Sequence, residues 1–232
     1  SVNAAMEATG YPVHTMEEVR GFVGYGIPRL IRDALPDGAP EDVYEKACRV
    51  FYDHYIQHAD NETHPYPGIV DMLHQLKEQG YVLGVLSNKA EEAVISLCER
   101  FFPGIFSVEA GARDDFPRKP DPTRLRCIVE ELGLRREEVI YSGDSDVDVL
   151  TAIRAGVRPV AVDWGYRSKQ CLVQAGASHI VSSPEELIQE WHQMAVDAYT
   201  YEVELKDGAA EYLRYLKEKG IRMAVATSSS PE

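Results

Sequence analysis

Three short runs place reactive side chains together: Leu86-Ser87-Asn88-Lys89, Arg118-Lys119-Pro120-Asp121-Pro122 and Gly143-Asp144-Ser145-Asp146-Val147-Asp148. They supply a hydroxyl, a cation and a cluster of carboxylates, the set needed to hold a phosphoryl group beside a divalent metal. Hard oxygen ligands suit Mg²⁺, which keeps several waters and takes one or two protein carboxylates. Asp144 is the first candidate ligand. Asp148, one helical turn further, is placed to act at the metal, through a metal-bound water, or to hold Lys119. Asp146 points elsewhere on the same helix and reads as surface charge or compensation of the helix dipole. Lys119, followed by the stiff Pro120-Asp121-Pro122 turn, offers a fixed ammonium for the charge of a phosphorylated intermediate or its transition state. Ser87 stands at the end of an apolar run, where its hydroxyl and nearby amides can grip phosphoryl oxygens at the start of the next helix. The competing reading of Ser87 is a plain helix N-cap.

These runs fall at the turns of a βαβ rhythm. Apolar, β-branched stretches predict strands at Tyr81–Leu86, Val139–Ser142, Pro159–Val162 and Ser178–Val181, with a weaker one at Phe106–Ala110. Helical patterns occupy Gly68–Gln79, Ala90–Phe101, Thr123–Leu132, Asp146–Ala155 and the stretch from Pro184 onward. Such alternation implies an α/β fold, a Rossmann-like doubly wound parallel sheet, in which ligands bind beyond the C-terminal strand ends. Ser87, Lys119 and Asp144 all fall at or near such ends. Upstream of residue 64 the pattern is purely helical: Val2–Thr9, Met16–Val23 behind a Thr15 cap, Pro28–Leu35, and the long amphipathic Asp42–His58. The expected organisation is a helical cap over 1–64, a core over 65–190, and a tail over 191–232.

Composition narrows the function classes. A chain of 232 residues with 44% hydrophobic content buries a proper core. Its formal net charge of −14 argues against nucleic acid as partner. No apolar run is long enough to span a bilayer and no signal peptide is visible. Cys48, Cys98, Cys127 and Cys171 are scattered without close pairing, which reads as buried free thiols in a reducing, cytoplasmic setting. The chain starts at Ser1 and stops at Glu232 just after a strand-like run, so both ends read as cut.

Segment 67–88 repeats as 207–228 without gaps. Gly68, Leu73, Leu76, Lys77, Glu78, Gly80 and Val85 recur as Gly208, Leu213, Leu216, Lys217, Glu218, Gly220 and Val225, and Ser87 falls opposite Thr227. The gapless register favours a true partial repeat over two amphipathic units alike by chance.

By these motifs, residues 1–190 resemble a haloacid dehalogenase-superfamily hydrolase, similar to bacterial phosphoglycolate phosphatases. The matching stretches also include Phe22-Val23-Gly24-Tyr25-Gly26, Phe102-Pro103-Gly104-Ile105-Phe106 and Trp164-Gly165-Tyr166-Arg167-Ser168. The resemblance implies a Mg²⁺-dependent hydrolase of a small phosphate ester. Ser87 and Lys119 would be catalytic and Asp144 and Asp148 would serve the metal, with Asn88, Tyr25 and Arg29 binding substrate. Arg29 would face the substrate's far end, the alternative being an ordinary helix-surface charge. The implied mechanism is attack by an aspartate of an Asp-x-Asp strand ahead of the cap, and no such motif occurs in this sequence. The expectation is therefore a chain inactive alone, or a non-catalytic phosphate- or partner-binding remnant of such an enzyme. A phosphomutase of the same superfamily is disfavoured, because nothing in the cap signals a sugar phosphate. The first strand would lie between those ending at Leu86 and Ser142. Ile221–Ala226 of the tail, or a second copy through self-association, is the candidate to fill its place.

Overall fold

The computed structural model describes residues 1–58 and 63–197, with positions 211 and 215. Ser1–Trp191 form one compact unit and His192–Glu232 a second. The repeat proposed for 207–228, and with it the strand candidate Ile221–Ala226, lies outside the described residues apart from those two positions.

Four helices open the chain: α1 (Val2–Thr9), α2 (Met16–Phe22), α3 (Ile27–Ala34) and α4 (Glu41–His58). Their starts and stops are chemical. Gly10 ends α1 at φ 78°, in the left-handed region that glycine takes without a Cβ penalty. Thr15 and Glu18 form a reciprocal capping box at α2, with Thr15 N–H donating to the Glu18 carboxylate at 2.7 Å. Pro28 occupies the first turn of α3, where its missing N–H costs nothing. The four helices bury a shared apolar cluster in which Met6, Ile31 and Ala47 are fully enclosed.

The rest of the first unit alternates as expected: α5 (Ile69–Glu78), β1 (Gly84–Ala90), α6 (Glu91–Phe101), β2 (Val108–Ala112), α7 (Thr123–Glu131), β3 (Ile140–Gly143), α8 (Asp146–Ala155), β4 (Arg158–Val162), α9 (Lys169–Gln174), β5 (Ile180–Val181) and α10 (Pro184–Asp197). Every strand pairing is parallel. Several boundaries differ from the sequence reading. β1 begins at Gly84 rather than Tyr81, because Tyr81 N–H turns back to the Leu76 carbonyl at 3.1 Å to close α5. The Tyr81 ring packs edge-on against Trp191 with centroids 5.3 Å apart. β2 starts two residues later than expected, since Phe106 is taken up by an edge contact with Phe102. Helix α9, capped by Ser168 at Cys171 N–H, has no counterpart among the sequence expectations.

The larger difference is in the sheet. It falls into a β1–β2 pair and a β3–β4–β5 triplet, and among the described residues no strand joins β1 to β3. Side chains span the two halves instead. Tyr141 Oη on β3 and Lys119 Nζ both donate to the Leu86 carbonyl on β1, at 3.2 and 3.0 Å. Leu86 and Tyr141 also pack on the same buried cluster, Leu125, Val129, Ala152, Ala155 and Val157. All four cysteines are free thiols, with Cys98 buried and its thiol pushed up to about 11 by that burial. Among the described residues no helix is long and apolar enough to cross a membrane.

β1 and β2 approach closely where the site-bearing end of β1 turns into α6. A Cβ on Gly111 would stand 2.6 Å from the Glu91 nitrogen and 2.8 Å from the Lys89 carbonyl, against backbone that cannot rotate away. Gly111→Ala should therefore lower stability by about 1–3 kcal/mol, as overpacking does, read as a drop in the urea midpoint at unchanged m-value.

Candidate active site

The helical unit and the C-terminal strand ends enclose a cleft of about 560 Å³. Its helical wall is largely apolar, with Val19, Val23, Ile27, Leu30 and Phe51. Its floor carries Ser87, Asn88, Lys89, Lys119, Asp144 and Asp148. Residues drawn from three separated runs thus meet in one place.

The end of β1 is shaped for this. Leu86 pairs with Ala110 and Ala90 with Ala112, so four steps along β1 oppose two along β2. The extra residues, Ser87 to Lys89, leave the ladder as a bulge, a device that re-aims side chains beside sites. Ser87 accepts a hydrogen bond from Lys89 N–H at 3.1 Å. It is not the cap of α6: that position is Ala90, without a side-chain cap, which removes the competing N-cap reading. Asn88 is a cross-brace. Its amide nitrogen donates to the Gly24 carbonyl at 2.9 Å and the Lys119 carbonyl at 3.0 Å, and its oxygen accepts from Lys119 N–H at 2.9 Å. Both amide protons are therefore committed to protein rather than offered to a ligand.

Lys119 and Asp148 form an ion pair at 2.7 Å with only 11% and 10% of their side chains exposed. Lys119 Nζ also donates to Tyr141 Oη at 3.1 Å, which with Leu86 fills its three donor positions. Burial alone would lower the ammonium's pKa; Tyr141 and Asp148 beside it outweigh that and hold it above its ordinary value. The Tyr141 phenol is pushed up to about 12, chiefly by burial. The second Asp148 oxygen accepts from Ser145 Oγ at 2.6 Å. Gly143 makes room for this arrangement, since a Cβ there would collide with the Asp148 carboxylate.

Asp144 is placed differently. Burial raises its pKa, partly countered by the Tyr166 N–H that donates to Oδ2 at 2.8 Å. Its other oxygen has no hydrogen bond to another described side chain. A half-buried carboxylate so placed favours either a proton or a cation. Mg²⁺ fits Asp144, because one protein carboxylate with phosphate oxygens and waters meets its needs. Asp148 fits that ion less well, since Lys119 and Ser145 hold both of its oxygens. Among the described residues no group of three or more His, Cys, Asp or Glu side chains forms a metal cage.

Two expected substrate contacts lie elsewhere. Arg29 is 65% exposed, pairs with Asp33 at 2.8 Å and does not line the cleft. Its guanidinium is raised by that carboxylate. Tyr25 does not line the cleft either: its hydroxyl donates to Asp146 Oδ2 at 2.6 Å, which together with burial raises the phenol to about 12. Asp146 is consequently not a solvated surface charge. Its other oxygen takes Arg167 Nε at 3.0 Å, while the Arg167 Nη atoms donate to the carbonyls of Arg20 and Val23 at 3.0 and 2.7 Å. This latch ties the helical unit to the core. The matching stretch around Trp164 to Ser168 is its sequence signal; Ser145 stands inside the Gly143–Asp148 run, whereas Tyr141 has no comparable signal.

The model of the haloacid dehalogenase-like hydrolase family matches residues 1–162. The phosphoglycolate phosphatase of Vibrio parahaemolyticus is 28% identical over 196 residues, covering 82% of this chain and 86% of that protein. Phosphoglycolate phosphatase 1 of Pseudomonas aeruginosa is 31% identical over 195 residues, covering 81% of this chain and 71% of that one. A crystal structure from Lactobacillus delbrueckii subsp. bulgaricus, provisionally described as a phosphoglycolate phosphatase, superposes with a TM-score of 0.77. It is 32% identical and covers 82% of this chain and 89% of that one.

The latch makes a pH-dependent prediction. Burial would raise the Asp146 carboxyl, but the hydrogen bonds from Tyr25 and Arg167 hold it below its ordinary value. A depressed folded pKa stabilises above the unfolded value of about 3.9, and that contribution is lost as pH falls through the folded value. Asp146→Asn should cost about 1–2 kcal/mol at pH 7, with the penalty shrinking below pH 4, as measured by denaturant titrations across that range.

Proposed function

Because this chain belongs to the haloacid dehalogenase-like hydrolase family, we propose that its cleft binds a small phosphate monoester for Mg²⁺-dependent hydrolysis, with phosphoglycolate as the model substrate. The observation carrying this reading is the convergence of Ser87, Lys119 and Asp144, from three separated runs, on one cleft. Ser87 Oγ donates to a phosphoryl oxygen. Lys119 supplies a positive charge that Asp148 and Tyr141 keep in place, so little reorganisation is needed as negative charge builds. Asp144 would hold Mg²⁺, which supplies Lewis-acid stabilisation of the phosphoryl oxygens. The apolar helical wall excludes water from the bound ester.

Among the described residues, the carboxylates lining the cleft are Asp144 and Asp148. One is assigned to the cation and the other is bound to Lys119, so neither is left to attack phosphorus. This favours a second reading of the chain by itself: a phosphate-binding unit that does not turn over until an Asp-x-Asp strand supplies the nucleophile.

Phosphatase activity on phosphoglycolate with Mg²⁺ should be compared between this chain and a version carrying an added Asp-x-Asp first strand. Activity is expected only in the extended protein, where Lys119→Met should lower kcat/KM by about 10²-fold or more. Turnover in both would mean that a described residue is the nucleophile. Turnover in neither would leave the binding unit as the better account. A separate loss is expected for Ser87→Ala, about 10-fold or more in kcat/KM of the extended protein, while its melting temperature stays within a few degrees.

A further inference from the structure

Lys89 and Lys119 are the lysines that line the cleft. Lys119 is occupied by Asp148 at 2.7 Å, and the His14 ring that also lines the cleft is engaged by the Ala34 carbonyl at 2.7 Å. Lys89 has no carboxylate partner among the described residues. Its ammonium instead reaches from the β1 bulge to α4, donating to Tyr55 Oη and lying 4.9 Å from the centroid of that ring. Tyr55 is itself held by stacking on Phe51, with centroids 5.6 Å apart. A half-buried ammonium steadied by a neutral phenol and a π-face is positioned but not neutralised. Beside the apolar wall of Val23, Ile27 and Leu30 its attraction for an anion is strengthened by the low local dielectric.

We propose that Lys89, presented by Tyr55, binds a second anionic group of the substrate, a carboxylate at the far end of a short phosphate ester. The inference rests on the function proposed above, in which Ser87 holds the phosphoryl group beside the fixed positive charge of Lys119. Lys89 is two residues beyond Ser87 and its own N–H donates to the Ser87 hydroxyl. The two main-chain positions are therefore separated by about 7 Å at most, a spacing that suits a two- or three-carbon acid. Tyr55 Oη accepts from Lys89, which leaves its O–H to donate to the same carboxylate. Because Tyr55 belongs to the helical unit and Lys89 to the core, the carboxylate would be gripped from both sides and would favour the closed cleft. This takes over the role the sequence gave to Arg29, whose guanidinium is paired with Asp33 outside the cleft. Arg118 faces a neighbouring hollow beside Tyr52 and Asp114 and is not a competitor for this position.

Titration calorimetry on the chain in Mg²⁺ buffer tests the proposal with three ligands: inorganic phosphate, 2-hydroxyethyl phosphate and 2-phosphoglycolate. The native chain should bind the phosphocarboxylate about 10- to 100-fold more tightly than its neutral-tailed analogue, the gain of one charge-assisted contact. Lys89→Met should erase that preference while leaving inorganic phosphate binding unchanged, which also shows that the variant is folded. Lys89→Arg should keep part of the preference, and Tyr55→Phe should reduce it. A preference that survives Lys89→Met, or native phosphate binding with no carboxylate preference, overturns the role of Lys89 and leaves the phosphatase reading standing. A native chain that binds none of the three overturns both.

Discussion

Lys119 and Asp148 meet at 2.7 Å with about nine-tenths of each side chain out of water. Two charges in that position are costly unless each is fully answered. Here they are: the ammonium spends its donors on Asp148, Tyr141 and the Leu86 carbonyl, and the carboxylate takes Lys119 on one oxygen and Ser145 on the other. The partners come from β1, the loop before α7, β3 and the start of α8. A single satisfied pair therefore sets the distance between two sheet halves that no strand joins among the described residues. It also accounts for the run Gly143-Asp144-Ser145, where glycine admits the Asp148 side chain and serine saturates it.

Around this fixed point the helical unit is attached mainly through polar contacts. Asn88 joins the Gly24 carbonyl to the Lys119 loop, and Arg167 joins Asp146 to the carbonyls of Arg20 and Val23. The helical unit also carries its own buried apolar cluster. The polar ties gather at the segment joining α2 to α3, whose Val23, Gly24 and Gly26 line the cleft.

The site is electrostatically unfinished in an informative way. Lys119 is held as an ammonium paired with Asp148, whereas Asp144 is half-buried with its pKa raised, and Lys89 faces the cleft with no carboxylate partner among the described residues. One position favours a cation and the other an anion. A phosphate ester with its metal would satisfy both, which links the chemistry of the floor to the charge of the expected ligand. Asp144 and Asp148, four residues apart in one helix start, differ because one is answered by a lysine and the other chiefly by a backbone N–H.

Much of this was legible in the sequence. Alternating β-branched runs and amphipathic helices specify the parallel α/β plan, since strand and helix periods are local properties of the chain. The Thr15 cap marks a helix start for an equally local reason. Ser87, Lys119 and Asp144 could be identified because each stands at a strand end, where such folds bind ligands. Tertiary structure decided which polar groups remain available. Asn88 and Tyr25 have donors suited to substrate, but the fold consumes them in ties; Asp146 reads as a surface charge until Arg167, 21 residues away, closes on it. Lys89 is set apart only by tertiary contacts, with Tyr55 across the cleft and, among the described residues, no carboxylate partner. Residue type and spacing determine what a side chain can do, and long-range packing determines whether its hydrogen bonds and charge are already spent.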